Sequence, residues 1–489
     1  MKREDAEKIY DLGKDAVVDL ILQLVDRIEK LEAQLKKDSH NSSKPPSSDG
    51  LRKKPKTGSS RRQTGKKTGG QEGHKGKTLE MSESPDKIIR LSSNKCACCG
   101  KSLKGCASKG IDRRQVFEIP EIELEVTEYQ SEINDCPHCG HENKGEFPEN
   151  VTKRTQYGNY LHSLAVYFRN YELIPTERTS EIFEDIFGVR LSEGTIVNST
   201  KRCAAKLSGF KNWAKEQILD SEVAYFDETG ININGKLHWM HNASTPFVTS
   251  YNVHKKRGGE AFNEIGILPE YRGKAMHDHW VPYLRYECEH LLCNAHHIRE
   301  LIFAFEEEKQ PWAKKMIELL CEAKKHKEEA AAKGENLKSE TIKLYETRYK
   351  RILTQGFRNN PPPVPDVELK RGRKKKGKIL SLLERLRDYQ TETLAFMYGA
   401  DIPFDNNLAE RDIRMVKVQQ KISGLFRSFS GAEEFCLIRS FLSTARKQGY
   451  NIIDAIHAIL NGEDICLDFS VKIAEKLQNI FNCGRNEKH

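Results

Sequence analysis

The chain has 489 residues, which is long for one domain and suggests several. Its 37% hydrophobic and 31% charged residues are too polar for a compact fold throughout, and no apolar run reaches the length of a membrane span. A net charge of +9 points to a polyanionic partner, and thirteen cysteines, an odd number, argue against a secreted disulfide scaffold and for metal ligation.

Without a span or a secretory signal pattern, the expected compartment is the cytoplasm, with no membrane partner. Residues 1–38 read as a helix. Val17, Ile21, Leu24, Ile28, Leu31 and Leu35 recur at alternating spacings of four and three, the seam of a short coiled coil with charged flanks. An amphipathic helix packed on its own domain fits the same pattern.

Residues 39–85 read as a basic arm. Within 36–77 stand thirteen Lys/Arg against three acids, so the positive excess of the whole chain sits in one segment. Ser, Gly, Pro and Lys dominate it, too few apolar groups remain to bury a core, and disorder in isolation is expected. Lys53, Lys54, Arg61, Arg62, Lys66 and Lys67 are candidate contacts to the phosphates of double-stranded DNA. A solubilising linker is the plainer alternative.

Residues 86–150 carry "CACCG" and "CPHCG". Cys96 and Cys99 form one C-x-x-C pair, Cys136 and Cys139 the other, and the glycine after each permits the turn that aims two thiolates at one ion. The two pairs predict a tetrahedral Cys₄ site for structural Zn²⁺. Cys98 and Cys106 are spare thiols that compete for the assignment, and a redox role is the alternative. Between the pairs, "QVFEIPEIELEVTEYQSEI" (115–133) alternates and reads as strand.

Residues 151–220 are mostly helical. Within them, 174–207 predicts a helix, a turn at Gly188 and a second helix capped by Ser192. A helix-turn-helix and ordinary helix packing fit equally.

From 221 the pattern changes to strands. "SEVAYFDE" predicts a strand ending in adjacent acids, Asp227 and Glu228, before a turn. "ININGKLHWMHNAS" alternates around a turn at Asn234-Gly235, "PFVTSYNVH" adds a strand, "GEAFNEIGILP" a helix, and "GKAMHDHW" a short strand carrying Asp278. "ECEHLLCNAHHIRELIFAFEE" is a strand that turns into a helix. A meander, a crossover helix and further strands are the layout of a ribonuclease H-like α/β core. There the first and fourth strands are neighbours, so Asp227 and Asp278 meet. The core is assigned to 221–305 and 396–445. A helical insertion at 306–395 interrupts it, with a basic loop whose Arg371, Arg373 and Lys374 are further candidate DNA contacts. Residues 446–489 read as a helical tail.

In "IPFDNNLAERDIRMVKVQQKISGLF" (402–426), Asp405 or Asn406 is expected to cap a basic amphipathic helix. Glu410 stands in its first turns and Arg414, a candidate DNA contact, one turn on. Three carboxylates brought together raise one another's pKa values unless a cation intervenes. Mg²⁺ (or Mn²⁺) accepts carboxylate oxygens and leaves positions open for a phosphodiester. The bland alternative is that Asp and Glu simply mark strand ends and turns. Asp405 and Asp412 rival Glu410.

Taken in order, "NSSKPPSSDG", "GGQEGHKG", the paired C-x-x-C, "LSEGT", "FDETG", "HDHW", "CNAHHIREL" and "NNLAERDIR" resemble the transposases of the insertion-sequence-66 class, bacterial DDE-type enzymes. The resemblance covers about residues 1–460. It implies that Asp227, Asp278 and Glu410 are the catalytic, metal-binding acids and that His296, in a C-x-x-H signature with Cys293, contacts the scissile phosphate. A packing pair at the strand-to-helix junction is the alternative for Cys293 and His296. It further implies binding of element ends and target DNA, cleavage and strand transfer, a homo-multimer built through the N-terminal helix, companion proteins of the same element, and a nucleoid-associated place in a bacterial cytoplasm. The first knuckle, "CACC", lacks the proline usual in that family. A local zinc site from Cys288, His290, Cys293 and His296 is a further reading, opposed by the alternation of strand side chains. A non-catalytic DNA-binding repressor or domesticated relative on the same scaffold, and a nuclease that cuts without joining, are the alternatives to the transposase reading.

Overall fold

The computed structural model describes residues 10–35, 41, 79–362 and 377–463. Lys53, Lys54, Arg61, Arg62, Lys66, Lys67, Arg371, Arg373, Lys374 and the chain beyond 463 lie outside them. No described helix is long and apolar enough to cross a membrane.

The first helix, α1 (Lys14–Leu35), follows Gly13 and keeps Ile21, Leu24 and Ile28 of its apolar row exposed. Two short antiparallel strands, β1 (Ile133–Asp135) and β2 (Glu142–Lys144), flank the second cysteine knuckle. The strand expected over 115–133 does not form: only Ile133 of that stretch enters a ladder, and Val116, Ile119 and Val126 stay exposed. An alternating pattern specifies a strand only where another strand meets its backbone groups. Among the described residues no strand pairs with 115–132.

A helical block follows: α2 (Asn159–Val166), α3 (Thr176–Phe187), α4 (Glu193–Lys206) and α5 (Phe210–Leu219). Gly188 ends α3 at φ 64°, a left-handed position that suits glycine, and Ser192 caps α4 by accepting the Thr195 N–H. α4 buries Ile196 and Cys203 and exposes Asn198, Lys201 and Arg202.

The core is one five-stranded sheet. Its strands are β3 (Val223–Ile233), β4 (Lys236–Ser244), β5 (Thr249–His254), β6 (Lys274–His277) and β7 (Glu289–Leu292), with α6 (Gly259–Ile265) between β5 and β6. The order is β5-β4-β3-β6-β7; β3, β4 and β5 are antiparallel, and β6 and β7 run parallel to β3 and to each other. Asn234 (φ 48°) and Gly235 (φ 78°) close the β3–β4 hairpin, as both positive angles of a type I′ turn require. One expectation is corrected here. β3 does not end at Asp227 and Glu228 but continues to Ile233, because β4 pairs it residue by residue from Tyr225 onward.

After the sheet come α7 (Asn294–Glu306), α8 (Pro311–Ala331), α9 (Ser339–Asn359), α10 (Lys378–Asp388), α11 (Gln390–Leu394), α12 (Asn407–Ser423), α13 (Phe429–Gln448) and α14 (Ile452–Asn461). Strand alternation sends Ala224, Phe226 and Glu228 to one face and Val223, Tyr225 and Asp227 to the other. The first face is sealed by Ile218 of α5, Phe262 of α6, Phe441 of α13 and Ile456 of α14. On the second, Val223 and Tyr225 pack with Met276 and Leu291 against Leu301 of α7, Trp312 and Met316 of α8 and Leu383 of α10. Each such large side chain contributes roughly 1.5–3 kcal/mol on burial. The edge strand β5 is closed by α13: the Tyr251 and Thr249 N–H groups donate to Ser440 Oγ (2.7 Å) and Thr444 Oγ1 (3.0 Å). The described chain is thus a mixed α/β core with surrounding helices, preceded by a cysteine-knuckle module.

Candidate active site

Register places the first two acids. Tyr225 pairs with Met276 across the parallel β3–β6 ladder, so two residues further Asp227 and Asp278 stand level and on the same face. Each carboxylate is oriented locally: Asp227 Oδ1 accepts the Glu228 N–H (2.9 Å) and Asp278 Oδ1 the Trp280 N–H (3.0 Å).

Glu410 arrives on the first turn of α12, which crosses the same face. Three polar contacts dock the segment that carries it. Asn406 Nδ2 donates to Phe226 O (2.8 Å), its N–H donates to Cys293 Sγ (3.1 Å), and Asn242 Nδ2, directly across β4 from Asp227, donates to Ala409 O (3.4 Å). Asn406 stands at the cap position, as expected, but its side chain makes no cap bond and serves the strand instead; Asp405 Oδ1 accepts the Asn407 N–H. Glu410 Oε2 lies 3.4 Å from Arg299 and Oε1 lies 3.7 Å from His296 Nδ1.

Electrostatics couples the acids. Burial, then the charges of Glu228, Asp278 and Glu410, hold Asp227 well above the usual carboxylate range, with His296 offsetting part of the effect. Four buried atoms here have no hydrogen-bond partner: Asn242 Oδ1, Asn406 Oδ1, Glu410 Oε1 and His296 Nδ1. A cluster of anionic and carbonyl oxygens with unused lone pairs fits a hard divalent cation. The three acids are nonetheless not drawn into one tight cluster. Among the described residues, the groups whose ligand atoms lie within 4.8 Å of one another are Cys293–His296–Glu410 and the exposed His254–Glu260–Glu264.

The neighbouring acids have other partners. Glu228, on the opposite face, bonds Arg257 (2.7 Å) and the Tyr283 hydroxyl, and Arg257 stacks 4.0 Å from the Trp280 ring centre. Burial first, and Asp278 next, push Glu228 up to about 7 despite these partners. Asp412 Oδ2 accepts from Lys447 (2.7 Å) and Thr249 Oγ1 (3.2 Å). Asp405 stands 3.8 Å from Lys324. Arg414 is exposed on α12, one turn beyond Glu410.

The two knuckles fold alike. Gly100 (φ 70°) and Gly140 (φ 72°) donate to Cys96 O and Cys136 O, and the Cys96 and Cys136 N–H groups close the loops on Lys101 O and His141 O. Backbone N–H groups of Cys99 and Cys98 lower the Cys96 thiol, and those of His138 and Cys139 lower Cys136, which favours the thiolates that bind metal. Among the described residues, no three of Cys96, Cys99, Cys136 and Cys139 lie within ligating distance of one another. Cys288 and His290 are likewise outside the group formed by Cys293 and His296; His290 faces His277 at 3.0 Å.

Sequence reasoning missed Arg299, Asn242 and the strand-docking role of Asn406. The signal for Arg299 was its place one helical turn after His296 in "HHIRE", on the same face. Nothing local marks Asn242, since its role depends on pairing with β3.

Comparison with known families agrees with these elements. Residues 93–140 match the zinc-finger binding domain of transposase IS66, and residues 8–80 match a family of unknown function, DUF6444. No curated protein matches the chain. Residues 154–434, more than half of the chain, match the Transposase IS66 family, and the chain belongs to that family.

Proposed function

We propose that this transposase binds the terminal inverted repeats of its element and catalyses metal-dependent cleavage and strand transfer on a ribonuclease H-like core. The observation that carries the reading is the level pair Asp227 and Asp278 on adjacent parallel strands, with Glu410 docked over them by Asn406 and Asn242. The strand order supports the ribonuclease H-like assignment. Asp227, Asp278 and Glu410 would hold Mg²⁺ or Mn²⁺, which supplies activation of the attacking oxygen and stabilisation of the leaving one. The protein's own groups position the DNA. Arg299 and His296, beside Glu410, offer donors to a scissile phosphate, and exposed Arg414 extends that surface along α12.

The division of labour we propose follows the chain. Residues 1–38 multimerise; the arm (39–85), the structural Zn²⁺ module held by Cys96, Cys99, Cys136 and Cys139 (86–150) and the helical region (151–220) hold double-stranded DNA. Residues 221–305 and 396–445 perform the chemistry, with 306–395 as an insertion whose Arg371, Arg373 and Lys374 add DNA contacts. Lys53, Lys54, Arg61, Arg62, Lys66 and Lys67 supply salt-sensitive affinity.

The test uses full-length protein, any companion proteins of the element, and DNA bearing the element's ends, with Mg²⁺ or Mn²⁺. Wild type should yield nicked and joined products. Asp227→Asn and Glu410→Gln should bind DNA but yield none. DNA binding by wild type without any metal-dependent product would instead favour a non-catalytic DNA-binding protein.

A further inference from the structure

The site contains donors that a hard-metal mechanism does not use. Cys293, His296 and Glu410 bring a thiol, an imidazole and a carboxylate within 4.8 Å of one another. Cys293 stands at the start of α7 and is 1% exposed; its sulfur takes backbone N–H groups, among them that of Asn406 at 3.1 Å. His296 Nδ1 and Glu410 Oε1 face each other at 3.7 Å, too far for a hydrogen bond, and neither atom has another partner. Two buried, unpartnered acceptors beside a third donor atom are the arrangement expected of metal ligands before the metal arrives.

The donor set selects the ion. Mg²⁺ takes oxygen ligands and does not favour thiol or imidazole, whereas Zn²⁺ binds Cys, His and carboxylate with bonds of about 2.0–2.3 Å. Tetrahedral coordination separates a nitrogen and an oxygen ligand by roughly 3.3–3.6 Å, and the 3.7 Å between His296 and Glu410 needs to close by only about 0.1–0.4 Å to reach it. Arg299 approaches the other Glu410 oxygen, Oε2, and leaves Oε1 to the ion.

We propose that Cys293, His296 and Glu410 form a binding site for a borderline-soft divalent ion of the Zn²⁺ type, separate from the cysteine knuckles, with its fourth position open to water. Its consequence rests on the reading of Glu410 as the third catalytic acid: an ion held here takes Glu410 and His296 away from the DNA, so Zn²⁺ restrains an enzyme that Mg²⁺ activates.

The test compares full-length wild type with Cys293→Ser and, separately, His296→Gln. Each is loaded with Zn²⁺, or with Co²⁺ as a spectroscopic substitute, and freed of excess ion. Wild type should retain one more equivalent than either variant, and the Cys293→Ser difference spectrum should contain a thiolate-to-cobalt band. Loss of one ligand should weaken binding by at least the ~10–100-fold typical of changes to a ligand's supporting partners. Equal metal content and equal spectra in all three proteins would overturn the site. This readout needs no DNA and no turnover, so it stands apart from the fate of the catalytic reading. In a second arm, Zn²⁺ is titrated into Mg²⁺-dependent cleavage; Cys293→Ser should need about tenfold more Zn²⁺ or higher for the same inhibition. Equal inhibition of both proteins would overturn the restraint.

Discussion

Glu410 and Asp412 stand two residues apart on α12, and the structure gives them different work. Asp412 pairs with Lys447 at 2.7 Å, with side chains 17% and 16% exposed. Removing one partner of a buried pair costs about 3–5 kcal/mol because the other charge is stranded. Here the partial exposure screens Lys447, which also keeps Thr245 O at 2.9 Å, so about 2 kcal/mol is expected for Asp412→Asn. For a core of roughly 150–250 residues this is a fall of about 4–8 °C in Tm. Glu410→Gln has the opposite sign. Glu410 is one of the charges that raise Asp227, so neutralising it relieves repulsion, which offsets the weakened contact with Arg299 at 3.4 Å, and Tm should stay unchanged or rise. Thermal unfolding of the metal-free proteins, paired with cleavage of element-end DNA below the lower Tm, separates the two. Asp412→Asn should melt early and still cleave; Glu410→Gln should melt normally and not cleave. Cleavage by Glu410→Gln, or loss of cleavage in an Asp412→Asn protein of normal Tm, would refute the assignment of the third acid.

Ser440→Ala should leave the buried Tyr251 N–H without its acceptor and cost about 1–3 kcal/mol, visible as faster hydrogen exchange at the β5 edge; unchanged exchange there would mean α13 does not close that edge. The raised acids set a pH dependence. A carboxyl whose folded pKa is raised stabilises the fold below its unfolded value, and that contribution is lost as pH rises through the folded value. For Glu228 the window runs from 4.5 to about 7, with Asp227 shifted the same way. Metal-free stability should therefore decline as pH climbs through it, while Mg²⁺ affinity, which needs ionised Asp227, should rise with pH above the usual carboxylate range. Mg²⁺ affinity that does not change with pH would count against Asp227 as a ligand.

How much was legible depended on how local each feature is. The knuckle glycines, the Asn234-Gly235 turn and the Ser192 cap follow from neighbours in sequence, and the structure forms each as read. The false strand over 115–133 failed for the opposite reason: its alternation is local, but a ladder needs a distant partner. Asn406 shows the same limit from another side. Its type and position signal a helix cap, yet Phe226 O, 180 residues away, claims the side chain.

The adjacent acids of "FDE" make that point sharpest. Read along the chain, Asp227 and Glu228 look like one feature, a strand end or a double ligand. The strand continues through them, so its period of two must send them to opposite faces. One stands level with Asp278 on the face that α12 crosses; the other is sealed, 1% exposed, against Arg257 and Tyr283. Their charges still interact through the strand, since Glu228 is the largest electrostatic contributor to the raised pKa of Asp227. The Glu228 carboxylate thus acts on the site from the opposite face of the strand. Its Arg257 partner favours the charged form of Glu228, and Trp280, which stacks on Arg257, also donates its N–H to Asp278. The sealed face is therefore tied to both acids of the open one, a connection that no reading along the strand contains.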